Sequence, residues 1–367
     1  MNKRCFLLFI CLPALTLTFF DQQKEPKDQD PLFPVQQNGK YGFIDKTGKI
    51  VIEPKYDYFP SGDWGSPEPF SEGLTVVLIG NLWCFIDKEG KTVIESKSGY
   101  PRHFSEGLTT EKMDDLWGFI DKTGKFIIEP KFKDPRSFSE GFAVVRLNDK
   151  YVYIDKTGKV VFENHFDFVT DFSEGLATVL INKKWGYIDK TGKIVIEPLF
   201  DQAGNFSEGL ADVKIKNNYG FIDKTGKIII EPKFSQVGSF SEAIALAATP
   251  TNRKTFNSST NLEIMSISPF DPKYAMGSMF FIDKTGKTVI DLQDINVKEA
   301  LLPGFSDGLA GVKIGERWGF IDQTGKVVVE PKYDSVWPYM NGLAKVMIDD
   351  KFGYIDKSGK YIWEPSK

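Results

Sequence analysis

From residue 34 onward, short apolar runs alternate with polar turns on a fixed period. One unit reads Gly141-Phe142-Ala143-Val144-Val145-Arg146-Leu147, then a turn at Asn148-Asp149-Lys150, then Tyr151-Val152-Tyr153-Ile154-Asp155. A second turn, Lys156-Thr157-Gly158-Lys159, leads to Val160-Val161-Phe162-Glu163. Each run is short, rich in β-branched and aromatic residues and bounded by turn formers, which predicts three antiparallel strands. After the N-terminal leader no stretch carries the three-and-four apolar spacing of a helix, so none is predicted.

The second turn recurs nine times, with aspartates at Asp45, Asp87, Asp121, Asp155, Asp189, Asp223, Asp283, Asp322 and Asp356. Most copies are 34 residues apart, and the excess falls into insertions near 60–69, 248–277 and 291–304. A second anchor, Phe-Ser-Glu-Gly-Leu or a relative of it, precedes the first strand of most units, as at Phe138, Phe172 and Phe206. An aspartate that opens a tight turn accepts hydrogen bonds from the backbone after it, and a glycine supplies the positive φ of a bulged hairpin. Asp45 with Gly48, Asp121 with Gly124, Asp189 with Gly192, and Asp322 with Gly325 are assigned that structural role. The glycine of the preceding Trp-Gly pair differs, because Cys84, Val152 and Phe280 replace it in three copies. Valine does not accept a left-handed backbone. This glycine is therefore expected to make room for a ring from a neighbouring strand.

A lone three-stranded meander exposes two edges and two apolar faces, and stacked neighbours shield both faces. The fold expected for residues 34–367 is all-β, a tandem array of about nine 34-residue three-stranded units. The chain enters and leaves at the same phase of the repeat, and nothing is split between its ends. An open, curved array is accordingly favoured over the alternative, a closed β-propeller-like ring.

Residues 1–20 pair Lys3 and Arg4 with an apolar run from Cys5 to Phe20, and residues 21–33 form a polar linker. That order is the layout of a secretory signal, or of an N-terminal anchor if it is retained or lipidated. The expected location is the periplasm, the cell surface or the medium, with membrane contact only through this segment. Loss of residues 1–20 leaves Cys84 as the single cysteine, so no internal disulfide is available and stability must come from packing. A net charge of −4 over 367 residues offers nothing to nucleic acid.

The chemistry of catalysis is sparse. Two histidines, His103 and His165, lie in inter-repeat segments without a second ligand nearby. Each unit pairs two carboxylates, such as Asp121 and Glu129, but the expected ladder separates them by about 13 Å, too far for a glycosidase pair. No cofactor, metal or catalytic residue is assigned. The insertions are better candidates for individual function. Trp64 stands in the first, and Arg253, Phe256 and Tyr274 in the second. These four are the candidate binding residues, because exposed aromatics stack on sugars or anchor protein interfaces.

The run Trp117-Gly118-Phe119-Ile120-Asp121-Lys122-Thr123-Gly124-Lys125, with its counterparts at Trp185 and Trp318, resembles the bacterial WG-repeat (KWG-repeat) family. The trailing Ile-Glu-Pro and Phe-Ser-Glu-Gly-Leu-Ala belong to the same pattern. The resemblance implies a tandem β-repeat protein, exported or attached to the cell envelope, with no agreed catalytic residues. The expected function is a non-enzymatic exported scaffold that binds a protein or glycan at the envelope. A purely architectural spacer and a glycan-acting enzyme are the alternatives.

Overall fold

The structure is a computed structural model and describes residues 30–57, 69–99, 101–148, 150–162, 166–249 and 277–366. Every regular element among them is a β-strand, and the strands group into nine small antiparallel sheets in chain order. In the fifth, Leu176–Ile181 pairs with Lys184–Asp189, which pairs with Ile194–Phe200. These are the three strands of the sequence unit. Five sheets add a fourth strand on the inner edge, only two residues long in four of them, such as Gln202–Ala203. In the eighth sheet it runs from Val297 to Ser306 and absorbs most of the third insertion.

Each sheet is too thin to hold a core, and the core lies between sheets. Nine buried clusters occupy the nine junctions between successive sheets. At each internal junction the aromatic residue of the Trp-Gly strand meets the Phe-Ser-Glu-Gly ring of the next sheet. Phe119 lies 4.9 Å from Phe138 and Phe221 lies 4.8 Å from Phe240, both edge-on.

The ninth cluster joins the two ends of the chain, bringing Phe33, Val35 and Ile44 of the first sheet onto Leu343 and Tyr354 of the ninth. The sheets are therefore blades of a closed nine-bladed ring, the alternative reading of the sequence, and the favoured open array is corrected. No strand is exchanged at this seam, so the repeat phase of the two ends did not reveal it. Closure uses side chains. Phe33 occupies the position that is Ala177, Ala211 or Ala344 in other blades, and its ring sits 5.5 Å from Tyr354. It fills the place that a Phe-Ser-Glu-Gly phenylalanine fills elsewhere.

The same turn contact runs round the whole ring. The turn glycine of each blade lies over the third strand of the blade before it, as Gly226 lies over Ile196 and Gly124 over Ile94. Gly48 of the first blade lies in the same way against Ile362 of the ninth.

Candidate binding surface

Both ends of every blade are built from turns, and the two faces of the ring differ. On one face, called here the turn face, the Asp189 carboxylate accepts the Thr191 amide at 2.9 Å, the Thr191 hydroxyl at 2.6 Å and the Lys193 amide at 3.1 Å. Asp45, Asp121 and Asp322 repeat this arrangement. The threonine hydroxyl is the main cause that holds the Asp189 carboxyl below its ordinary range, against slight burial. Gly192 carries φ of +81° and closes the turn.

The Phe-Ser-Glu-Gly segments tie neighbouring blades together on the same face. The Ser173 hydroxyl donates to the Phe206 carbonyl of the next blade at 2.7 Å, and the Glu174 carboxylate accepts the Gly209 amide at 3.0 Å. Lys224 then reaches back to Glu174 at 3.1 Å. This tie repeats, blade to blade, from Ser71 and Glu72 through to Ser306 and Asp307. The glutamates of this series are engaged in holding neighbouring blades, with Lys122, Lys156, Lys190, Lys224 and Lys284 paired to them, while the turn aspartates hold their own turns.

The carboxylate pair weighed for glycan chemistry is not brought together as an acid–base couple. Asp121 is folded into its turn, while Glu129 lies exposed on the outer strand beside Gly118. Gly118 and its equivalents also correct an expectation. A Cβ on Gly186 would meet no ring; it would lie 2.6 Å from the Ile196 carbonyl oxygen and 2.8 Å from the Pro198 nitrogen. The Ile-Glu-Pro stretch bulges here, so that Trp185 faces Phe200 while Tyr187 faces Ile196. In all six blades with the glycine, a proline follows the bulge. In the three with Cys84, Val152 or Phe280 no proline is present, and at Cys84 the ladder runs regularly from Trp83–Ser96 to Phe85–Ile94. Cys84 is buried there, and burial pushes its thiol up. His165 lies outside the described residues.

On the opposite, hairpin face the copies differ most. A lysine or arginine at the hairpin tip pairs with an aspartate 17 residues on: Lys40 with Asp57, Lys184 with Asp201 and Arg317 with Asp334. In blades 2 and 3 both members of this pair are replaced, leaving Leu82 with Gly99 and Leu116 with Lys133. Ile79, Leu82, Met113 and Leu116 are 42, 53, 43 and 37% exposed, a run of large aliphatic side chains on two adjacent tips. Blade 7 carries the longest insertion on this face, between Ala248 and Met279, where Thr249 still donates to the Ser278 carbonyl. Trp64, Arg253, Phe256 and Tyr274 all lie outside the described residues, so the tip leucines are the placed candidates. Sequence reasoning passed over them because it weighed insertions and not substitutions within the period.

Near the inner edge of the ring, Lys345 lies over the Phe352 ring at 4.2 Å and the Trp337 ring at 5.1 Å, and burial pushes its amine down to about 8. Asp212 holds the equivalent position in blade 6, and burial pushes its carboxyl up to about 6. Among the described residues no group of three or more His, Cys, Asp and Glu is placed to hold a metal ion. Nor is any helix among them long and apolar enough to cross a membrane.

These features define a ring of tandem β-blades built from one repeated Trp-Gly unit. The WG containing repeat model matches residues 41–83, 117–151, 153–185, 185–219, 219–248 and 318–352, more than half of the chain, and the chain belongs to that family. Among curated proteins none matches it significantly in sequence. A crystal structure of a eukaryotic initiation factor is similar in fold, with a TM-score of 0.62 over 93% of this chain and 98% of that one, at 8% identity. BamB from Moraxella catarrhalis, at 9% identity over 89% of this chain and 92% of its own, superposes with a TM-score of 0.35.

Proposed function

We propose that this protein is a non-catalytic, exported scaffold that holds a protein partner at the cell envelope through the hairpin face of its ring. The observation that carries this reading is the aliphatic run Ile79, Leu82, Met113 and Leu116, from which both members of the tip ion pair have been withdrawn. Aliphatic side chains at this exposure favour a protein surface over a glycan, because sugars are gripped by flat aromatic platforms. The engagement of the turn-face carboxylates in inter-blade ties supports a non-catalytic role, and the charged and apolar order of residues 1–20 supports export.

Binding of envelope proteins and of purified envelope glycans is compared for the exported chain, its Leu82→Lys/Leu116→Lys variant and a variant lacking residues 250–276. The expected outcome is a protein partner retained by the parent chain and lost, by tenfold or more in affinity, from the leucine variant. Retention of a glycan instead, or binding indifferent to both changes, would refute the reading. If every variant behaves as the parent and nothing binds, the spacer alternative replaces it.

A further inference from the structure

Inter-blade ties are not uniform around the ring. From blade 2 to blade 9, each of seven junctions carries a serine hydroxyl to a backbone carbonyl and a carboxylate to a backbone amide. At the seam between blades 9 and 1 the positions that supply those ties are filled by residues that cannot make them. Met340 stands for the serine and has no hydroxyl to donate, and Asn341 stands for the glutamate. Their counterpart in blade 1 is Pro31, in place of glycine, which has no amide hydrogen to be accepted. The seam keeps the apolar contact of Phe33 with Tyr354 and the turn contact of Gly48 with Ile362.

We infer that the ring is a split washer: the junction between blades 9 and 1 opens locally while the seven tied junctions stay shut, with Phe33 as its latch. Local opening follows the weakest set of contacts, and a junction that lacks these two ties gives way before one that has them. Opening uncovers Val35, Ile44 and Tyr354, so the seam presents an apolar edge in its open form that the closed ring hides.

The test compares two equivalent isoleucines, both fully buried. Ile44 lies at the seam and Ile222 at the junction of blades 5 and 6. Ile44→Cys and Ile222→Cys are introduced separately into the full chain, and labelling by a thiol reagent under native conditions is followed by mass spectrometry. The expected result is labelling at least tenfold faster at the seam. Adding Phe33→Ala should accelerate labelling in the Ile44→Cys protein by a further tenfold and leave the Ile222→Cys protein near its parent rate. Equal rates at the two positions, or equal acceleration of both by Phe33→Ala, would overturn the inference, since a global loss of stability acts on every junction alike.

Discussion

Adding a methyl group at Gly186 would press it onto the backbone of Ile196 and Pro198 at 2.6 and 2.8 Å, where no side chain can swing away. Gly186→Ala is therefore expected to cost at least about 2 kcal/mol in urea melts, as overpacking of a rigid contact does. Val152→Ala, in a blade without the proline bulge, keeps a Cβ that this backbone already accommodates and should cost only about 1 kcal/mol, from the packing lost beside Leu147 and Val160. Gly192→Val forces positive φ on a β-branched residue and drives it into the Phe162 ring, so it joins Gly186→Ala among the severe changes. If Gly186→Ala were as mild as Val152→Ala, the bulge would not be the reason for the glycine.

Charges act at the same scale and in two directions. The Asp189 carboxyl is held low, so its contribution is present above its unfolded pKa and is lost as pH falls through the folded value. Six sibling turns share that shift through Thr47, Thr123, Thr157, Thr225, Thr285 and Thr324, so acid should loosen them together, below about pH 4. Asp212 has the opposite sign. Its pKa is raised to about 6, so the contribution is full below its unfolded pKa and is lost as pH rises through 6. Asp212→Asn should then stabilise the ring by about 1–2 kcal/mol at pH 7 and by almost nothing at pH 4, a difference that melts at the two pH values would read.

Among the elements, the ties between blades set how firmly neighbouring sheets hold. Ser173→Ala leaves the Phe206 carbonyl without its donor in a buried position and should cost about 1–2 kcal/mol. Met340→Ala, at the corresponding position of the seam, removes no hydrogen bond, and denaturant midpoints for the two variants should separate accordingly.

The strand plan and its turns were legible because the Asp-Lys-Thr-Gly-Lys turn declares its own chemistry. The two-residue inner strands were not, since a pair such as Gln202–Ala203 carries no periodicity to read. The partnership of Gly186 with Pro198 was visible in principle. Glycine and proline are kept or lost together across all nine copies, but only a three-dimensional bulge says why. Leu82 and Leu116 were equally visible as departures from lysine, and their meaning depended on knowing that the tips share one face.

At the scale of the whole molecule, closure makes the chain ends neighbours in a way that an open array would not. Within the ring, residues 201–207 are the seven that carry the chain from Phe200, at the end of one blade, to Glu208 of the next. By repeat phase Lys367 and Asp30 hold the corresponding positions of the sequence on either side of the seam, so a linker of the same seven-residue length should span them. A circular permutant joined there and opened at the Asn182-Lys183 hairpin keeps every junction and converts the seam from an encounter between chain ends into an internal one. Tethering two packed surfaces raises their effective concentration at little cost in loop entropy. The permutant should therefore fold to the same hydrodynamic radius as the parent and melt at an equal or higher temperature. An open array rearranged in this way would instead leave Phe33 and Tyr354 to meet only through a strained linker, and the permutant would melt lower or aggregate. Scanning calorimetry with light scattering on the two chains separates these outcomes.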